Sequence, residues 1–316
     1  MRNQSDPNIR NQMIQNAVPE EKYRKPNPVG NNKWDEENFI NFQVMQRGQE
    51  IKLVTYRCNT TLDQPKSVTV FFHGLNEHLG LYAHIAQAVS KQANSVVVGF
   101  DFRGFGKSQG VRGWLESRQQ LENDCIQFIQ KIHNLYPGLS LFTLGQSMGG
   151  MASYLMGLSN QCEGTILITP AIMDNRNNQS FMKSLGLLFG ACFPTWNPFP
   201  PVRSPGSRNP QIQEENLKDP YCTLIAVLPG TGRTLVSTMR SLPETFSTYK
   251  KPFLVITAGM DKVVDPNVGQ ELMKQSPSID KQIIHCEEMW HNCVQEEEIL
   301  ELIPKIVEWI TQRSHQ

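Results

Sequence analysis

The stretch Leu141–Ala152, LFTLGQSMGGMA, decides the architecture. Leu141-Phe142-Thr143-Leu144 reads as a short buried strand. Gly145-Gln146-Ser147-Met148-Gly149 fits G-x-S-x-G, and Ser153-Tyr154-Leu155-Met156 reads as a helix. A strand, a sharp turn holding a serine between glycines, and a helix together make a nucleophile elbow. The turn is strained at the serine, so a side chain two residues away on either side would collide with the opposing backbone. Gly145 and Gly149 remove that collision. The serine oxygen then projects from the strand tip above a helix N-terminus, whose N–H groups favour developing negative charge. A glycine-rich turn with a bland serine has the same letters, so the assignment depends on partners for Ser147.

Working outward, apolar strands alternate with amphipathic helices. Ser67–Phe72 and Ser95–Phe100 are β-branched and aromatic runs suited to central buried strands. Between them, Ile85, Ala88 and Val89 recur at helical spacing. Leu121, Cys125, Phe128, Ile129 and Ile132 put one apolar face on a helix over Leu121–Leu135. Thr165–Thr169, Pro252–Ala258 and Lys281–Cys286 continue the strands, and Ile299–Ile310 closes the chain as a helix. Such alternation implies crossover units and a mostly parallel sheet flanked by helices. Near the start, Phe39–Val44 and Ile51–Tyr56 read as a β-hairpin.

The rhythm breaks after Pro170. Roughly 80 residues separate it from the next clear strand, whereas a crossover needs about 10–12. The excess is an inserted helical cap, expected over the C-terminal ends of the strands. It begins with the apolar segment Phe181–Phe193, in which Leu185, Leu188 and Phe189 are candidates to contact substrate. That segment is either a cap helix packed on its own neighbours or a lipophilic lid that admits acyl chains and touches a membrane surface. The expected organisation is a disordered polar leader over 1–34, core over 35–172, cap over 173–248 and core again over 249–316.

Composition narrows the partners. Lys+Arg and Asp+Glu are both 30, and this neutral balance lacks the basic footprint of nucleic-acid binding. Seven cysteines are scattered and form no CxxC, which reads as reduced thiols in a cytoplasmic protein with no metal site. The first residues carry no apolar h-region of a signal peptide, and no apolar run is long enough for a membrane span.

A serine hydroxyl needs a base, and the base needs an orienting carboxylate. On this kind of sheet they follow in the order Ser, acid, His. Asp261 lies just past the Phe253 strand, whereas Asp265 precedes Pro266 and suits helix capping. His285 lies within a strand and His291 in the loop beyond it, so His291 is the candidate base and Asp261 its acid. The oxyanion requires two fixed N–H donors. Met148 follows the nucleophile and supplies one; Leu75, in the loop His73-Gly74-Leu75-Asn76, supplies the other. His73 is expected to hold that loop. Asp101–Gly106 contains glycines but no Walker Lys-Ser pair, and reads as a sharp turn pinned by Asp101 and Arg103.

From Phe39 to Ile310 the chain resembles the monoacylglycerol lipase family of serine hydrolases, which includes lysophospholipases and plant esterases. The residues are His73-Gly74-Leu75-Asn76-Glu77-His78, Asp101–Gly110, Gly145–Gly150, Gly259–Pro266 and Trp290-His291, with Ser207-Arg208-Asn209 and Lys218-Asp219-Pro220 in the insertion. The resemblance implies an α/β-hydrolase fold without cofactor. It also implies cleavage of a lipid monoester to fatty acid and glycerol through Ser147, His291 and Asp261. Lysophospholipase or general carboxylesterase activity is the alternative, and a catalytically silent binding protein on the same fold a further one. Two departures stand out: Asn76 replaces a glycine of the oxyanion loop, and Leu81 stands where an arginine commonly precedes the tyrosine, here Tyr82.

Overall fold

Central strands of this chain are apolar on both faces, and the packing follows from that. In strand β5 (Ser67–Phe72), Val68, Val70 and Phe72 join one core and Phe71 the other. In β6 (Ser95–Phe100), Val96, Val98 and Phe100 face the first core and Val97 the second. Side chains alternate across a strand, so a continuous apolar run needs helices on both sides of the sheet. Helix α1 (Ala83–Ala93) and the last helix (Ile299–Arg313) cover one face. Helices α2 (Arg118–Leu135) and α3 (Met148–Leu158) cover the other.

The computed structural model describes residues 21–58, 64–174, 189–196, 206–223 and 227–314. Its larger sheet also contains β1 (Glu36–Glu37), β4 (Thr55–Cys58), β7 (Ser140–Gln146), β8 (Gly164–Ile168), β9 (Phe253–Ala258) and β10 (Lys281–Cys286). The strand order is β1-β4-β6-β5-β7-β8-β9-β10, with β6 through β10 parallel and β4 antiparallel to both its neighbours, β1 and β6. The five parallel connections among these six strands place the loops after β5, β6, β7, β8, β9 and β10 along one edge, and the candidate triad and oxyanion residues come from those after β5, β7, β9 and β10.

The hairpin is β2 (Phe42–Gln46) with β3 (Gln49–Leu53). Its second arm is shorter than the alternation suggests. After Val54 the chain leaves the hairpin, and Thr55–Cys58 pairs with β6 instead. Tyr56 explains the switch: its ring is buried and its hydroxyl donates to Asp101 Oδ2 at 2.8 Å.

Residues 21–34, expected within a disordered leader, are placed on the fold. Trp34 is buried, and its Nε1 donates to the Leu79 carbonyl at 2.8 Å. Arg24 pairs with Glu214, and Asn27 donates to Glu215 at 2.8 Å. Polar composition concealed this segment because it is anchored by ion pairs and two aromatic residues, Tyr23 and Trp34, rather than by a periodic apolar face.

Between β8 and β9 lie α4 (Pro210–Lys218) and α5 (Pro229–Ser241). Asn209 caps α4 by accepting from Gln211 N at 3.0 Å. Helix α6 (Val268–Gln275) follows β9, and the closing helix Ile299–Arg313 is α7.

Candidate active site

β7 ends at Gln146 and α3 begins at Met148, leaving Ser147 alone in the turn. Its φ of 56° and ψ of −115° form a conformation that a β-carbon makes costly. Neighbouring glycines make room for it. A β-carbon on Gly145 would overlap the Gly149 carbonyl, and one on Gly149 would overlap the Phe72 carbonyl at the end of β5. Ser147 is also fixed to β8: its N–H donates to Ile168 O at 2.9 Å, and its own carbonyl accepts from Ala171 N at 3.0 Å.

His291 Nε2 lies 2.8 Å from Ser147 Oγ, and His291 Nδ1 lies 2.7 Å from Asp261 Oδ2. All three residues are buried. The other carboxylate oxygen of Asp261 accepts from the backbone N–H groups of Val263 at 2.7 Å and Val264 at 3.0 Å. A carboxylate can only accept, so Nδ1 carries the proton and Nε2 offers a lone pair to the serine hydroxyl. The arrangement can therefore take a proton from Ser147 while Asp261 faces the resulting ring charge.

The alternative acid and histidine lie elsewhere. Asp265 accepts from Asn267 N at 2.9 Å in the turn before α6, two residues ahead of the N-cap, which is Asn267 itself. His285 meets Thr257 at 2.8 Å across the β9–β10 pair.

The loop after β5 is held from several sides. His73 Nδ1 donates to Gly74 O at 2.7 Å, and its Nε2 accepts from Phe102 N at 2.9 Å. Burial pushes the His73 pKa down to about 4, so the ring is neutral and can play both parts. In a trans peptide the N–H points opposite the C=O. Pinning Gly74 O therefore also fixes the direction of the Leu75 N–H. Met148 N is the first amide of α3. Gly149 packs against Phe72 and His73, bringing the α3 N-terminus alongside this loop. Asn76 has φ of 64°, a left-handed conformation that glycine takes freely and asparagine tolerates, which explains the exchange at this position. Its carbonyl accepts from Thr223 N at 2.9 Å, joining the loop to the insertion.

His78, Asp219 and Cys222 come close enough to suggest a metal site. The hydrogen bonds do not suit one. His78 Nδ1 accepts from Gly80 N at 3.1 Å, so the proton sits on Nε2 and points at Asp219 Oδ2, 2.9 Å away. The nitrogen facing the group is a donor, and the set is a clasp between the loop and the insertion.

Two residues escaped sequence reasoning. Gln146 Nε2 and Thr169 Oγ1 both donate to the backbone carbonyl of His291, at 3.1 and 3.0 Å. Gln146 fills a wildcard position, and Thr169 carries a φ of 38° that its sequence does not announce. Of the three candidate lid residues, Leu185 and Leu188 lie outside the described residues. Phe189 packs with Phe193 and Trp196, at ring separations of 5.2 and 5.7 Å. All seven cysteines are free thiols. Among the described residues, no helix is long and apolar enough to cross a membrane.

The family model described as "Serine aminopeptidase, S33" matches residues 63–298. Monoglyceride lipase of Rattus norvegicus is 28% identical over 254 residues, covering 79% of this chain and 84% of that protein. Monoacylglycerol lipase of Mycolicibacterium smegmatis is 24% identical over 263 residues, covering 81% and 92%. In fold, the chain is similar to a soluble variant of monoglyceride lipase from Saccharomyces cerevisiae solved with a substrate analog. The TM-score is 0.76 at 16% identity, covering 92% of this chain and all of that one, 100%. With the match spanning Ser147 through His291, the chain belongs to this S33 family and is a serine ester hydrolase on the α/β-hydrolase fold.

Proposed function

We propose that the chain hydrolyses lipid monoesters of the monoacylglycerol type by way of an acyl-enzyme. Ser147 Oγ attacks the ester carbonyl as His291 Nε2 takes its proton. Asp261 orients the ring and stabilises its charged form. The N–H groups of Leu75 and Met148 hold the oxyanion. His291 then protonates the departing alcohol, and the acyl group remains on Ser147. Water attacks that ester with His291 again as base, releasing the fatty acid and restoring the serine.

The observation that carries the chemistry is the unbroken contact from Asp261 through His291 to Ser147, at 2.7 and 2.8 Å, with the serine in a strained turn. For the lipid monoester, support comes from the lipase relatives. Residues 173–248 act as the cap in this scheme, with Leu185, Leu188 and Phe189 receiving the acyl chain. Phe193 and Trp196, both exposed, give that region an apolar surface through which to meet a membrane. A lysophospholipid or a simpler ester is the second reading. It follows from Asn76 and Leu81, which depart from the family pattern beside the oxyanion loop and alter the polar-head pocket on which a preference for glycerol depends.

A fluorophosphonate probe tests the chemistry. The parent labels covalently, while Ser147→Ala does not and loses about a thousandfold or more in kcat/KM. Equal labelling of both proteins would sink the mechanism. Rates on monoacylglycerols, lysophospholipids and short p-nitrophenyl esters test the substrate. A preference for short soluble esters, with no gain from longer chains, counts against the lipid assignment.

A further inference from the structure

We propose that Gln146 is a positioning residue that keeps the His291 loop and the oxyanion loop in register; this rests on the roles proposed above for those two loops. Its side chain is 1% exposed. Gln146 Nε2 lies 3.1 Å from the His291 carbonyl and 3.3 Å from Thr169 Oγ1. A carbonyl only accepts, so the NH2 end must face it, and Oε1 is turned to the other side. There Oε1 lies 3.2 Å from the Tyr82 hydroxyl. That hydroxyl accepts from Gly74 N at 2.9 Å, and its single proton is shared in a three-centre bond between the closer Glu77 carboxylate and Gln146 Oε1.

Three segments thus meet on one amide: the loop after β5, the end of β7 and the loop after β10. The amide belongs to the residue before the nucleophile, so its place is fixed by the same backbone that aims Ser147. Gly74 is the residue before Leu75, and the Tyr82 contact therefore reaches the peptide unit next to the oxyanion donor. A neutral amide suits the position because it presents a donor and an acceptor on one rigid head. Methionine would present neither. Glutamate would set a carboxylate against the His291 carbonyl and close to Glu77. Shifts of about 1 Å in a reacting group cost up to about a hundredfold in rate, so loosening this head acts on turnover more than on substrate capture.

The test compares Gln146→Met, Gln146→Glu and Ser147→Ala with the parent, each checked for folding by its thermal midpoint. Gln146→Met is expected to lower kcat by about tenfold to a hundredfold, with KM little changed and fluorophosphonate labelling slowed in parallel. Gln146→Glu is expected to gain activity relative to the parent as pH falls, because a protonated carboxyl regains a donor toward His291. Should Gln146→Met not fold, Thr169→Val removes the other donor to that carbonyl. It gives the same loss in kcat, and Thr169→Ser restores it. A folded Gln146→Met with parental kcat overturns the proposal, as does a loss confined to KM or a Gln146→Glu ratio independent of pH. If Ser147→Ala still turns over, the triad itself is wrong. If Ser147→Ala is dead and Gln146→Met is parental, only the bridge is.

Discussion

At Gly145 a single hydrogen atom separates a working turn from a blocked one. A β-carbon there would overlap the Gly149 carbonyl and lie 2.8 Å from Gly150 N, so the helix start must move. Gly138 offers a contrast. Its φ is +80°, but nothing lies within 4 Å of the added carbon. Gly145→Ala should therefore destabilise the fold by about 1–3 kcal/mol and slow fluorophosphonate labelling sharply. Gly138→Ala should cost about 1 kcal/mol of backbone strain and leave labelling alone. Urea unfolding and labelling rates check both, and equal labelling of the two variants would remove the crowding argument. At this scale the sequence was informative where chemistry restricts residue type. Ser147, Asp261 and His291 could be ordered from strand ends alone. Gln146 and Thr169 were invisible, because their work is a pair of hydrogen bonds to a main-chain carbonyl of His291. Many polar side chains could serve there.

Elements were legible in proportion to how completely they are buried. β5 and β6 begin and end where their apolar runs do, since a run buried on both faces leaves no other register. The segment before β1 and the insertion were harder, because tertiary ion pairs hold them. Arg208 shows this. Its backbone N–H donates to Glu296 Oε1 at 2.9 Å, and its Nε lies 3.1 Å from Oε2 without hydrogen-bond geometry. Glu298 and the ring of Tyr23 flank the same guanidinium. Beside it, Asn292 N donates to Gly206 O at 2.7 Å, so the piece of insertion that ends in α4 is fastened next to His291. Burial already raises the Glu296 pKa, with Arg208 opposing. Arg208→Met should leave that acid unpaired and lower stability by about 3–5 kcal/mol. The double variant Arg208→Met/Glu296→Gln should recover much of the loss. Urea midpoints of the three proteins decide it: a double variant no better than the single one would show that the charge pair is not the source.

For the molecule as a whole, acid is the informative stress. Burial pushes the pKa of His73 down to about 4, and that of His84 likewise to about 4. Both hold structure as neutral rings, His73 under the oxyanion loop and His84 through the Val294 carbonyl at 2.9 Å, just beyond His291. In the unfolded chain each returns to its ordinary value near 6.5. Between about 6.5 and about 4 the unfolded chain therefore binds protons that the native one refuses, and stability falls as pH falls through that window. The contribution is fully present above it. Asp124 and Glu296 act in the opposite sense, because burial raises their pKa and the native state keeps their protons slightly longer. Theirs are the smaller shifts, so the histidines set the slope. Each titrating ring is worth about 1.4 kcal/mol per pH unit inside the window. His84→Gln keeps a donor for Val294 and removes one ring, and the buried Nδ1 of His84, which has no partner, is lost without penalty. Unfolding free energy measured by urea at intervals from about pH 7 down to about pH 4.5 should fall less steeply in His84→Gln, by about that amount per unit. An unchanged slope would mean that the ring is protonated in the native state, and that α1 is not held to the His291 loop by a neutral histidine.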